Sequence, residues 1–312
     1  MASVVCILAV LFVGLVASSR LTRGSTTRAL SASSFTGESS RLTRGSTTRA
    51  LSASSFTVEN PTSIELKMQL LQLGASLDRG QLYNPTSGEQ YKGNMDVAKA
   101  KIVELIDKGG KSKSLEAIDG EWELVISTVP HGIFRSSPFF LAIQQAYADA
   151  GTPEKAQLFF KLHELQTMSW GVSKIGRVAQ TIVASEGRLD SEFDTNLLSL
   201  TVIPILGWWK LLPTFGGCVI TESKCDMEDD GTMNLEVDLT RAKPVDGLNT
   251  LPGGIGVDTK VPVGAVWRLL PWNKGNKATA KIFLEYVDDD FRIMKDIDGS
   301  YFVYSRPVVS RA

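Results

Sequence analysis

The chain has 312 residues, of which 43% are hydrophobic and 21% are charged, a balance typical of a soluble folded protein. Its net charge of −1 argues against a nucleic-acid partner, because proteins that bind nucleic acid present a basic surface. Two histidines and three cysteines provide no closely spaced set of ligands of the kind that holds structural zinc. We therefore expect no metal, no cofactor and no nucleic acid.

The chain begins with an apolar run at residues 4–17. The run is shorter than the roughly 20 residues that a membrane-spanning helix needs, and small residues follow it. This layout predicts a signal peptide over residues 1–19. No lysine or arginine precedes the run, so an uncleaved membrane anchor is the alternative.

An exact repeat follows, with RLTRGSTTRALSASSFT filling residues 20–36 and again residues 41–57. Residues 1–57 contain six arginines and one acid, whereas the remaining 255 residues carry 27 bases and 33 acids. A segment rich in serine, threonine and arginine predicts a disordered, transit-like leader over residues 20–57. A signal peptide followed by such a leader is the bipartite address of proteins imported into secondary plastids. A duplicated linker in a secreted protein is the alternative.

The folded domain is expected to span residues 61–310 and to open with two helices. The first is predicted over residues 64–77 with Ser63 as its cap, and the second over residues 95–107. The apolar stripe predicted for the first helix consists of Ile64, Met68, Leu71 and Leu77.

From Gly120 onward the hydrophobic period changes to two. Trp122, Leu124 and Ile126 are predicted to share one face of the first strand, and Tyr286 shares a face with its neighbours on a later one. Turn residues separate about eight such strands, a pattern that favours an antiparallel barrel or a sandwich. Residues 130–170 interrupt the pattern with two predicted helices, an insertion that can plug or cover one end of a barrel.

The most apolar part of the domain is residues 197–220, with one charge in 24 residues. Its prolines and glycines disfavour one continuous helix and favour two strands joined by an apolar loop. Tryptophan is enriched at membrane interfaces, so the loop is either packed core or a lipid-contacting wedge. The candidate membrane contacts are Trp208, Trp209 and Leu211.

The sequence offers little catalytic chemistry. It has no Gly-x-Ser-x-Gly motif. The three acids at residues 288–290 have two interpretations. They form a β-turn, where aspartate is common, or they hold a cation or act as a general acid. Cys218 and Cys225 fall on opposite faces of a straight strand, which predicts two buried free thiols. What remains is a pair suited to closing a barrel, because Trp122 can lie across its floor and Arg292 can stack on the ring.

At this point several segments resemble the plastid lipid-associated protein family, the plastid fibrillins. Residues 120–124 resemble the lipocalin entry motif, and residues 77–80 resemble the end of the family's first helix. Residues 180–189 are similar to its central strand pair. Residues 286–293 and 301–304 are similar to its late motif and the aromatic strand that follows.

The resemblance implies a mainly β fold: a lipocalin-like antiparallel barrel of about eight strands, with N-terminal helices and a helical insertion. It implies a non-enzymatic protein that binds lipids, carotenoids or prenylquinones and associates with thylakoid or plastoglobule lipid. Two alternatives stay open: an enzyme acting on a carotenoid or quinone through Asp288 or Glu285, and a structural coat of lipid droplets. The expected ligand-binding or barrel-closing residues are Trp122, Leu124, Tyr286, Asp288, Arg292 and Phe302.

Overall fold

The structure, a computed structural model, describes residues 61–81, 88–129, 132–168, 173–197, 202–203, 209–210, 215–245, 260–269 and 275–310. The predicted leader and Trp208 and Leu211 lie outside these residues. The strands are β1 Gly120–Ser127, β2 Ser173–Val183, β3 Arg188–Leu197, β4 Val202–Ile203, β5 Trp209–Lys210, β6 Phe215–Met227, β7 Thr232–Lys243, β8 Lys260–Val261, β9 Thr279–Val287, β10 Phe291–Lys295 and β11 Tyr301–Ser305.

Eight of these strands form a closed antiparallel barrel in the order β6-β3-β2-β1-β11-β10-β9-β7. The pairing of β6 with β7 closes the ring, and the short β8 is added beside β7. The predicted barrel of about eight strands is therefore confirmed, and the sandwich alternative is wrong. The apolar segment between β3 and β6 contains the hairpin of β4 and β5, in agreement with the two strands expected there.

Five helices accompany the barrel within the described residues: α1 Ser63–Ser76, α2 Gly88–Asp107, α3 Pro138–Asp149, α4 Pro153–Met168 and α5 Val263–Leu269. The cap of α1 is Thr62 and not Ser63. The Thr62 hydroxyl accepts the backbone N–H of Glu65, and the Glu65 carboxylate accepts the backbone N–H of Thr62. This reciprocal pair satisfies two N–H groups that the first turn of the helix leaves free.

The buried face of α1 differs from the predicted stripe. Leu66 and Leu70 are fully buried, whereas Ile64 and Met68 are 73% and 52% exposed. The sequence of α1 has apolar residues on two faces, so periodicity alone could not select the one that packs. Contacts with α2 and with the outer wall at β1 select it.

Two hydrophobic clusters divide the core. One fills the barrel interior, and the other lies between the outer wall and helices α1 and α2. Bulges decide which residues face which cluster. A register shift between Leu124 and Ile126 places Ile126 in the outer cluster. A second shift, next to Ile293 on β10, places its partner Tyr286 in the outer cluster as well. The expectations that Ile126 shares a face with Leu124, and Tyr286 with Leu284, are therefore wrong, because a bulge changes the side-chain alternation.

The insertion after β1 occupies the barrel interior. Its first part is a 3₁₀ turn, Ile133–Ser136, and α3 follows with a nearly continuous buried surface. Phe134, Phe139 and Phe140 belong to the same cluster as the inward-facing strand residues. The insertion thus plugs the barrel. No helix in the described part of the chain is both long enough and apolar enough to cross a bilayer.

Candidate functional site

The first strand of the barrel begins with a residue that must be glycine. Gly120 has a φ of +92°, and a Cβ atom there would lie 2.8 Å from Nη1 of Arg306. Two residues later Trp122 is fully buried, and its Nε1 donates to the carbonyl of Ile118 over 2.8 Å. The backbone of Gly120 therefore leaves room for an arginine beside the tryptophan that follows it.

Two guanidinium groups lie against the ring of Trp122. The guanidinium carbon of Arg306 is 3.8 Å from the ring centroid, and that of Arg292 is 5.1 Å from it. The expected contact between Trp122 and Arg292 is confirmed. A cation–π contact contributes about 0.5–2 kcal/mol, depending on how far it is desolvated, so both contacts stabilise this end of the barrel.

Arg292 is the most buried charged group of this site, with no exposed surface. Its guanidinium also lies 4.3 Å from the ring centroid of Tyr304, the residue opposite it on β11. Burial, together with the positive charge of Arg306, lowers the pKa of Arg292 to about 10. Burial raises the pKa of Tyr304 to about 12. At neutral pH the pair is therefore a cation beside a neutral phenol.

A row of buried polar side chains crosses the inner wall from this point; we call it the polar belt. Strand register places Gln180 opposite Trp122 and then carries the row across β3, β6 and β7. Nη2 of Arg292 donates to Oε1 of Gln180 over 2.6 Å, which joins the belt to the closed end. The belt consists of Gln180, Ser191, Thr221, Ser223 and Thr240.

The plug approaches the same place from inside. Nε2 of Gln180 donates to the carbonyl of Ser136 over 2.9 Å, so one amide group bridges the plug and Arg292. Ser137 is the cap residue of α3, and its hydroxyl is buried and makes no capping hydrogen bond. The N-terminus of α3 therefore lies next to the arginine, deep in the barrel.

The other expected site residues fall into two groups. Leu124 and Phe302 are buried in the interior cluster, on the same side of the wall as Trp122. Tyr286 belongs to the outer cluster, and its hydroxyl donates to Asp288 over 2.5 Å. Asp288 also accepts the backbone N–H of Phe291 and forms an ion pair with Lys67. Tyr286 and Asp288 thus belong to the contact that joins α1 to the turn between β9 and β10.

The acids named for a catalytic alternative are both engaged on the outer wall. Glu285 accepts from Lys295 over 3.1 Å, and Asp288 is held in the turn described above. Cys218 and Cys225 are buried free thiols, as expected, and burial raises the pKa of Cys225 to about 11. Within the described residues no three histidine, cysteine, aspartate or glutamate side chains form a metal-binding group.

Sequence reasoning missed the polar belt and Tyr304 as site residues. A signal for them exists in the strands, because Gln180 lies between Val178 and Ile182, two residues of the interior cluster. A polar residue at an inward position of an otherwise apolar face is unusual and would have marked the belt. Trp209 is described only as part of β5, so its role as a membrane contact stays a prediction.

Comparison with known proteins gives one match. The family model PAP_fibrillin matches residues 64–305, which include both outer helices, the plug and all strands of the barrel. No curated protein and no solved structure matches the chain.

Proposed function

Because the chain belongs to the PAP_fibrillin family, we propose that it is a non-enzymatic protein that binds a hydrophobic plastid metabolite inside its barrel. The candidate ligands are lipids, carotenoids and prenylquinones. The observation that carries the proposal is the closed barrel itself, with a mostly apolar interior; the stack on Trp122 is proposed to seal one end. Eight-stranded barrels can hold one small ligand, and in this chain the ligand would share the interior with the plug.

The proposed location is the plastid, at thylakoid or plastoglobule lipid, after removal of a bipartite leader. The family match and the arginine- and serine-rich leader support it. The proposed lipid contact is the apolar segment around β4 and β5, with Trp208, Trp209 and Leu211. That segment connects β3 to β6 at the end of the barrel opposite Trp122, since Leu197 pairs with Phe215 there. A ligand could thus enter from the lipid surface.

The two alternatives, a structural coat protein and an enzyme, can be tested with one preparation. The native protein would be extracted in mild detergent and its co-purifying lipids identified by mass spectrometry. We expect one lipid class at close to one molecule per chain. A mixture that matches the bulk membrane would instead favour the coat protein, and conversion of an added carotenoid or quinone would favour the enzyme.

A matched pair of variants shows whether the bound lipid occupies the barrel. Ser223→Leu adds a larger side chain at a buried, inward position, whereas Ser185→Leu makes the same change at an exposed turn. We expect the first variant to lose at least half of the co-purifying lipid and the second to retain it. Equal retention by both variants would place the ligand outside the barrel.

A further inference from the structure

Arg292 carries a buried positive charge that no carboxylate of the described residues neutralises. It is fully buried, and only its Nη2 has an acceptor, the amide oxygen of Gln180. Within the described residues its Nε and Nη1 have no hydrogen-bond partner. The ionisable groups that act on it are Tyr304, Arg306 and Cys225, none of which is a carboxylate. Burying an unpaired charge costs several kcal/mol, so this arrangement favours an acceptor from outside the chain.

A second feature of the same place favours a negative charge. The N-terminus of α3 carries a partial positive charge. The side-chain amide of Gln180 connects it to the guanidinium, because that amide hydrogen-bonds both the carbonyl of Ser136 and Arg292. The hydroxyl of Ser137 at this terminus is buried without a partner, and so is the hydroxyl of Ser191 in the polar belt. Ser191 lies opposite Gln180 in the strand register, and Ser137 follows the residue whose carbonyl accepts a hydrogen bond from Gln180, so both hydroxyls belong to residues around Gln180.

Beyond the polar belt, the surroundings of these donors are apolar. Trp122, Leu124 and Phe302 line the interior beside them, and the inward-facing Phe193 further along β3 is only partly buried. A ligand that matched both features would have an acidic head group and a long apolar chain. A fully apolar ligand would leave the guanidinium N–H groups without acceptors.

We propose that the barrel binds a long-chain carboxylate, head first, with its carboxylate accepting hydrogen bonds from the unpartnered N–H groups of Arg292. The apolar chain extends along β3 and β6 towards the end opposite Trp122. The inference rests on the proposed function and narrows its ligand class to amphipathic anions.

The test compares ligands that differ only in the head group. Delipidated full-length protein is titrated with palmitate, methyl palmitate and hexadecanol, and binding is measured by calorimetry. We expect palmitate to bind roughly 10- to 100-fold more tightly than the ester or the alcohol, the range expected for one hydrogen bond to a charged group. Equal affinities would overturn the carboxylate site and leave hydrophobic binding intact. Failure of all three to bind would also overturn the carboxylate site, whereas the broader proposal is decided by the lipids that co-purify with the native protein.

Variants then assign the preference to one side chain. Arg292→Met removes the charge with little change in length, and it should abolish the preference for palmitate. Arg241→Met makes the same change on the outer wall, where Arg241 pairs with Glu222, and it should leave the preference intact. A preference that survived in Arg292→Met would overturn the assignment.

Because Arg292→Met could fail to fold, a measurement on the unchanged protein stands beside it. The ¹³C resonance of carboxyl-labelled palmitate reports its ionisation when bound. Next to a buried guanidinium the carboxylate should stay ionised to a lower pH than in detergent micelles. Titration at the micellar value would show that the head group lies away from Arg292.

Discussion

At the scale of single residues, Trp122 connects the sequence motif to the closed end of the barrel. Its ring is fully buried, its Nε1 has a backbone acceptor, and two guanidinium groups lie against it. The glycine two positions earlier provides the space for one of them. These contacts explain why a glycine and a tryptophan occur together at the start of β1.

Replacing Trp122 with alanine should lower the free energy of unfolding by about 3–5 kcal/mol, because it removes a large buried ring and both cation–π contacts. Denaturant unfolding followed by circular dichroism measures the change. Val308→Ala, at an exposed position, should change stability by less than about 0.5 kcal/mol. A loss below about 1 kcal/mol for the tryptophan variant would show that the ring does not close the barrel.

At the scale of elements, Asp288 ties α1 to the turn between β9 and β10. Burial raises the pKa of this carboxyl, but hydrogen bonds from Lys67, from Tyr286 and from backbone N–H groups outweigh burial and lower it. A carboxyl with a lowered pKa stabilises the fold fully above its ordinary pKa of 3.8, and this stabilisation disappears as the pH falls through the lowered value.

Asp288→Asn should therefore cost about 1.5–3 kcal/mol at pH 7, the range for hydrogen bonds to a charged group. The difference from the unchanged protein should hold above about pH 5 and shrink as the pH falls below 3.8, where the unfolded chain takes up its proton before the native carboxylate does. Unfolding free energies at pH 7, 5 and 3 measure it. Asp290→Asn is the control, because that side chain is 74% exposed. A difference that stays constant with pH would mean that the charge of Asp288 contributes nothing.

The segment around β4 and β5 is the element from which we predict membrane association. The domain is acidic outside residues 1–57, so attraction to anionic lipid cannot drive binding. Binding to vesicles of plastid lipid should then persist in 1 M salt, where the Debye length is about 3 Å. Replacing Trp208 and Trp209 with serine should release the protein from the vesicles without unfolding it.

The control for this experiment is Ile64→Ser with Met68→Ser, which removes two exposed apolar side chains from α1. It should leave vesicle binding unchanged. Release by the α1 variant alone would move the membrane contact to that helix. Unfolding of the tryptophan variant would show instead that the two rings are core.

The sequence predicted the elements better than it predicted their faces. Turn residues and period-two alternation were sufficient to count about eight barrel strands, and the interruption of that alternation over residues 130–170 located the helices of the plug. The buried face of α1 was not predictable, because Leu66 and Ile64 lie on two equally apolar stripes. The inner and outer sides of β1 and β9 depended on bulges, and a bulge has no clear signature in a single sequence. The contact of Trp122 with Arg292 was predictable, whereas the polar belt required the strand register.

At the scale of the whole molecule, the described fold begins at residue 61, just after the second repeat. We predict that the protein isolated from plastids begins near residues 57–61, because the capping box of α1 starts at Thr62 and nothing before it is needed to cap that helix. N-terminal sequencing or intact-mass measurement gives the answer. A protein that retained Met1 or Arg20 would contradict the bipartite leader.

The position of β1 between β2 and β11 has a consequence for how the chain reaches this fold. Thr128 and Tyr301, joined by hydrogen bonds at the end of this pair, are 173 residues apart. Such distant pairing gives a high contact order and slow folding, because the entropy of a long loop is lost before the contacts form. Until β11 has been synthesised or translocated, β1 presents an unpaired edge to any neighbouring chain. Edge-to-edge aggregation of the unfinished fold is therefore most favoured in the interval before its final hairpin is available.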